Sequence, residues 1–196
     1  MRALVWALLL VAAPAFAQTP ATLRATLDSV SADGGQLQAH AAGGASAVVR
    51  FTDATRIAAV IPAALADLRP GAYIGVAAVP EGDGQRALEV HIFPESMRGV
   101  GEGFRPFDLA PGSTMTNGAL TARVDSQTGG VLTVTYKGGE QILRLDAQTK
   151  IVALTPGSRA DLIPGAALIA RGERAADGAI DARSIAVGRN GLTPPM

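Results

Sequence analysis

The 196-residue sequence predicts an all-β protein made of two related units. Three observations lead there. Residues 55–71, TRIAAVIPAALADLRPG, recur as residues 149–165, TKIVALTPGSRADLIPG. Thr55 falls on Thr149, Asp67 on Asp161 and Pro70-Gly71 on Pro164-Gly165, all at one offset of 94. A fixed self-match of this kind signals duplicated structural units. Both repeats alternate apolar and polar residues over short runs bounded by glycine turns, which is the period of a half-buried strand. Each repeat then carries one short helical signal ended by Pro-Gly. Three strands, a helical turn and two more strands form the order of a small OB-like barrel. The expected fold is therefore two repeated, small, OB-like five-stranded β-barrels, each with a short helical turn, joined by an ordered loop. A two-sheet sandwich using all ten strands is the alternative.

The elements follow in chain order. Residues 1–17 read as a secretory signal: Arg2, then the apolar run Ala3–Ala13, then Ala15-Phe16-Ala17 as a small-x-small cleavage site. The run is too short to span a bilayer, which takes about 20 residues. No later segment is long and apolar enough to do so. The first repeat covers 18–93. Its strands are expected at Leu23–Val30, Leu37–His40, Ala47–Phe51, Tyr73–Val79 and Ala87–Phe93, with turns at Asp33-Gly34-Gly35 and Gly43-Gly44. The second repeat covers 119–188. Val131–Tyr136 and Gln141–Leu145 flank the hairpin signal Lys137-Gly138-Gly139-Glu140, where glycine reaches positive φ without steric cost. Ser158-Arg159-Ala160-Asp161 has the Ser-x-x-acid spacing of a helix start. Ala167–Arg171 and Ser184–Val187 close the unit. Residues 189–196 form an extended, Pro-Pro-ended tail.

Composition excludes several classes of function. There is no cysteine, hence no thiol catalysis, thiolate metal site or redox exchange. Formal net charge is zero and falls to about −1 once Arg2 leaves with the signal, so no basic face is offered to nucleic acid or anionic lipid. No Ser, His and acid stand in a nucleophilic arrangement, and an enzyme is not expected.

The segment between the repeats, residues 94–118, matches neither. Phe104 and Phe107 lie in it, Phe93 sits at its edge, and Met97 and Met115 add further apolar bulk. A flexible linker would be poor in such groups. The segment is therefore expected to be ordered and packed on the barrels. Arg98, Glu102, Phe104, Arg105, Phe107 and Asp108 are the candidate ligand- or partner-binding residues. Arg98 and Arg105 have the fork that suits a carboxylate or phosphate. They can also pair with Glu95, Glu102 or Asp108 and hold the loop's shape, and in a near-neutral chain local pairing is the favoured reading. Gly99–Gly103, GVGEG, lacks the Lys-Ser/Thr ending and helix of a phosphate loop, so no nucleotide site is expected. No metal and no cofactor are expected. His91 and Glu95 come nearest to a metal pair, but without a recognised ligand spacing.

The strand, Gly turn, T-x-I step, a-D-L-x-P-G and closing D-G…A…V strand resemble the bacterial exported domains of unknown function DUF5666. Residues 91–118, HIFPESMRGVGEGFRPFDLAPGSTMTNG, and 187–196, VGRNGLTPPM, are similar to an exported proteobacterial family whose members are often labelled metal ABC transporter permease. A permease needs several membrane spans, and this chain offers none after the signal. The expectation is an exported, periplasmic, non-enzymatic binding or interaction module working at the inter-repeat loop on an unidentified protein or small ligand. The alternative is a periplasmic divalent-metal-binding accessory protein of a transport system.

Overall fold

The protein is described by a computed structural model over residues 19–126 and 129–195. The predicted signal, its cleavage site and Met196 lie outside the described residues. Among the described residues, no helix is long and apolar enough to cross a membrane.

The expected all-β class is found. Thirteen strands run as β1 Thr19–Val30, β2 Gln36–Ala41, β3 Ser46–Arg50, β4 Arg56–Pro62, β5 Tyr73–Glu81, β6 Gly84–Ile92, β7 Gly103–Pro106, β8 Thr114–Ser126, β9 Gly129–Tyr136, β10 Gly139–Leu145, β11 Lys150–Pro156, β12 Ala167–Arg174 and β13 Ile180–Gly188. One-turn 3-10 segments occupy Leu65–Asp67, Glu95–Met97 and Arg159–Asp161. Both predicted helical turns are therefore present. Their repeated acid explains the self-match: Asp67 accepts from the Ala64 N–H and Asp161 from the Ser158 N–H, each at 2.8 Å, satisfying an orphaned amide.

Pairing runs along one path, β10-β9-β8-β5-β6-β11-β4-β13-β12-β1-β2-β3, with returns between β10 and β6 and between β13 and β3. The returns close two circuits of five strands. The first ring holds β1, β2 and β3 with β12 and β13. The second holds β8, β9 and β10 with β5 and β6. Each ring thus takes a three-stranded meander from one repeat and a hairpin from the other. The sequence expectation had each repeat closing on itself, and the strands do not pair that way. The cause lies in β4 and β11. They pair antiparallel with each other, from Val152 opposite Pro62 to Pro156 opposite Ala58. This crossing carries each chain segment over to the opposite ring before its hairpin begins.

The apolar residues follow the same exchange. One cluster joins Leu27, Leu37 and Val49 to Leu162, Leu168 and Ile185. The other joins Leu68, Ile74 and Val90 to Leu120, Leu132 and Leu143. The repeated Thr and Gly also bond across repeats. Thr55 Oγ1 donates to Ala182 O at 2.8 Å, and Thr149 Oγ1 to Ala87 O at 2.9 Å. Gly71 N–H reaches Leu120 O, and Gly165 N–H reaches Leu27 O. Both glycines have φ near +90°, which a side chain would strain. Thr55→Val keeps the shape and removes both this donor and the acceptor that the hydroxyl offers the Thr52 N–H at 3.0 Å. It is expected to cost about 1 kcal/mol in urea unfolding, and an unchanged midpoint would show that the bond is idle.

Each hairpin carries one bulge. Ala87 pairs with Ala78 and Glu89 with Ala77, leaving Leu88 as the extra residue of β6. Ser184 pairs with Arg171 and Ala182 with Gly172, leaving Arg183 as the extra residue of β13. The bulges are equivalent, so Glu89 in the second ring corresponds to Ser184 in the first.

Candidate functional site

The inter-repeat segment is ordered, as expected, and contains strand structure that was not. β7 pairs with β8 from Gly103 opposite Asn117 to Pro106 opposite Thr114. β8 itself starts at Thr114, inside the span read as loop. The loop is pinned at Val100, whose carbonyl accepts from Tyr73 OH at 3.2 Å and Asn117 Nδ2 at 3.1 Å. Gly75 makes room for this: a Cβ there would lie 2.7 Å from Asn117 Oδ1 and 2.9 Å from the Phe93 ring.

Most predicted binding residues serve this docking. Arg98 forks onto Glu95, donates to Gly71 O at 2.8 Å and lies 5.8 Å from the Tyr73 ring centre. That pairing holds the Glu95 carboxyl below its usual range. Glu102 accepts from the Lys137 N–H at 2.9 Å and ties the loop to the β9–β10 turn. Arg105 donates to Gly101 O at 2.7 Å. Phe104 is exposed and Phe107 half-buried. Asp108 reaches furthest. It accepts a two-pronged bond from Arg24 on β1, at 3.0 and 3.2 Å, linking the insert to the first ring. Arg24 thereby keeps the Asp108 carboxyl below its usual range.

Glu95 is exposed and spent on Arg98, whereas His91 is buried, so the two do not form a metal pair. Among the described residues, no three or more His, Asp or Glu stand close enough together to hold a metal ion.

The partner of His91 is Glu89, two residues back on the same face of β6. Both are buried, at 2% and 1% exposure. Glu89 Oε1 abuts His91 Nε2. Beyond that contact neither atom has a hydrogen-bond partner among the described residues, nor do His91 Nδ1 and Asn117 Oδ1. Burial pushes the Glu89 carboxyl up to about 8, against the pull of Lys150, Arg171 and Arg24. Burial, aided by Arg171, holds the His91 imidazole well below its ordinary 6.5. At neutral pH the pair is a protonated acid against a neutral imidazole, because a dry site disfavours both charges.

Cations from three strands face Glu89. Lys150 of β11 pairs with it directly in register. Arg24 comes from β1 and Arg171 from β12. Arg171 is half-buried and makes no hydrogen bond or ion pair from its guanidinium among the described residues; partial burial, then Arg24, holds its pKa below the usual arginine value.

Glu89 also lines a cleft of about 270 Å³ with Leu88, Gln148 and Lys150, together with Leu109 of the insert and Pro195 of the tail. The first ring has a cleft of about 550 Å³ at the equivalent place, bordered by Arg56 and the bulge residue Arg183. There Arg56 stands opposite Ser184 as Lys150 stands opposite Glu89. Neither insert nor tail lines that opening. The duplication thus supplies an internal comparison. Of two equivalent mouths, one has a buried acid and is lined in part by the two segments that are not repeated.

Sequence reasoning found His91 and Asp108 but missed Glu89, Lys150, Arg24 and Arg171. Glu89 reads as a solvent-side residue of an alternating strand. One signal was available: Glu89 falls where the second repeat has Ser184, once the bulge is aligned. No protein-family model, curated protein or solved structure matches the chain.

Proposed function

We propose that this chain is an exported, non-enzymatic binding module whose working surface is the face under the inter-repeat insert, centred on Glu89 and bounded by Asp108, Leu109 and Lys150. The observation that carries this is the asymmetry between the equivalent clefts. Only the one lined by the buried Glu89 also takes residues from the insert and the tail into its lining. A purely structural insert has no need of a desolvated acid beneath it, since burying such a group costs free energy unless something is gained. Part of the same proposal is that each ring is an OB-like barrel, a fold that binds along one sheet face and its adjoining loops. Kinship with the exported DUF5666 domains and a cleaved signal would place the module in the periplasm.

The divalent-metal alternative has one observation in its favour. A carboxylate and an imidazole on β6 and the Asn117 carbonyl oxygen on β8, on either side of β5, are buried with unbonded atoms. Lys150, Arg171 and Arg24 oppose a cation there.

Both readings are tested by amide chemical-shift mapping of residues 18–196 against separate probes: zinc, free amino acids, short peptides, monosaccharides and small acids. The expected result is a saturable set of shifts at Leu88–His91, Asp108–Leu109 and Gln148–Lys150 with at least one probe. Shifts confined to Arg56 and Arg183, or none at all, would overturn the proposal. A response to zinc alone would favour the metal alternative.

A further inference from the structure

We infer that the face beneath the insert binds a small oxyanion, a carboxylate or phosphate group, with Arg171 as its principal contact and Arg24 and Lys150 flanking it. This deepens the proposed working surface and rests on it.

The first support is Arg171 itself. A guanidinium partly withdrawn from water normally has an anion or several acceptors around it, because a poorly hydrated, unpaired charge is costly. Elsewhere this chain obeys that rule. Arg50 meets Asp177 and Asp181, Arg123 meets Asp125, and Arg189 grips Asp161. Arg171 is half-buried like these, and it stands beside Arg24 on one face of the β1–β12 pair, with Thr22 opposite Arg171 and Arg24 opposite Ile169, yet among the described residues its guanidinium has no such partner.

The second support is that the chain's own anions nearby are already engaged. Asp108 gives both carboxylate oxygens to Arg24. Glu89 is set against His91 and, in its dry site, is held as the neutral acid. Arg24, Arg171 and Lys150 therefore face one ionised carboxylate. The site is short of negative charge, and a planar oxyanion fits the fork of a guanidinium. Arg105, four residues from Leu109, adds to the positive field felt by Arg171.

Glu89 makes this binding depend on pH. The groups facing it are His91 on its own strand, Lys150 on β11, Arg171 on β12 and Arg24 on β1; Asp108 on the insert acts on the same arginines. While Glu89 keeps its proton, Arg171 and Lys150 have no ion partner among the described residues and can take an external anion. When Glu89 loses it, the new carboxylate competes for Arg171 and Lys150 and repels the ligand. By linkage an anion that binds the protonated site preferentially must bind less well as pH rises.

The test titrates the chain with sulfate and, separately, with succinate, followed by amide shifts from pH 6 to 9.5 at constant ionic strength. Sulfate and succinate both keep their charge across nearly all of that range, so any pH dependence belongs to the protein. Saturable shifts at Arg24, Lys150 and Arg171 are expected. Arg171→Met should weaken binding by roughly tenfold or more, the scale of a lost charged hydrogen bond. Arg171→Lys, kept as a control against misfolding, should weaken it less. Wild-type affinity should fall above the titration of Glu89, by at most about tenfold per pH unit. Glu89→Gln should bind without that fall. Preference for sulfate over succinate would indicate a phosphate-type ligand, and the reverse a carboxylate.

Binding unaltered in both Arg171 variants would overturn the inference, as would shifts confined to Arg50, Arg56 and Arg183. If neither anion perturbs the site but another probe of the mapping panel does, the oxyanion inference falls and the working surface stands. If nothing perturbs it, both fall.

Discussion

Cleavage by trypsin after Arg98, in the exposed part of the insert, is expected to leave the two halves bound to each other. Each ring depends on both halves. β1 pairs with β12 from Thr19 opposite Arg174 to Thr26 opposite Ala167, and β13 pairs with β4 from Ser184 opposite Arg56 to Gly188 opposite Val60. Separation would expose Leu27, Leu37, Val49, Leu162, Leu168 and Ile185 in one ring. It would expose Leu68, Ile74, Val90, Leu120, Leu132 and Leu143 in the other. Burying one such side chain is worth about 1.5–3 kcal/mol. Over both rings that exceeds the roughly 12 kcal/mol of a nanomolar complex. Sedimentation of the nicked protein at micromolar concentration should therefore give one particle of unchanged size, with two fragments on a denaturing gel. Two separate, folded fragments would mean that each repeat can close on its own hairpin, and the exchange described above would be wrong.

Stability is expected to fall by about 2 kcal/mol between pH 6.5 and 8, and Glu89→Gln is expected to abolish that fall. Glu89 is raised from an ordinary 4.5 to about 8, and His91 is lowered from 6.5. Between pH 4.5 and 6.5 the unfolded chain holds one titrating proton on His91, and the folded chain holds one on Glu89. The counts match, so this pair contributes no slope there. Above pH 6.5 the unfolded imidazole loses its proton while the folded acid retains its own up to about 8. The folded state then binds more protons, and stability must decline as pH rises, at about 1.36 kcal/mol per pH unit. Past about pH 8 the folded acid ionises too and the slope vanishes. Urea unfolding at intervals across this range measures the slope. A wild type that is flat from 6.5 to 8, or a Glu89→Gln variant that declines in parallel, would show that Glu89 is already ionised in the folded protein. The acid side is less diagnostic. Asp33, Asp108, Asp161 and Asp177 all have lowered carboxyl pKa values there, from their bonds to Ser31, Arg24, Arg189 and Arg50 respectively, and lose those contributions as pH falls.

The insert shows how far sequence reasoning reaches. Its aromatics and its interleaved charges mark an ordered segment, and Arg98 with Glu95 is a local pair that the spacing suggests. Asp108 was a candidate for binding. Its partner Arg24, however, lies 84 residues away on a strand of the other ring, and nothing in the local pattern identifies it. The same holds for Arg171. On β12 it reads as the polar end of an apolar strand, and only its place beside Arg24, which grips Asp108 of the insert, sets it apart.

The all-β class, the duplication, the turn positions and the ordered insert are legible in the residues alone. Those follow from local causes: side-chain period, glycine conformations, proline stops and the capping acids Asp67 and Asp161. Tertiary structure alone decided which ring each hairpin closes and which faces are dry. Two repeats with the same edges offer the same hydrogen-bonding partners, so local chemistry does not choose between closing on oneself and closing on the other. The β4–β11 crossing makes that choice. It also packs the rings so that the outer face of β6, ordinarily a solvated surface, becomes the buried seat of Glu89 and His91.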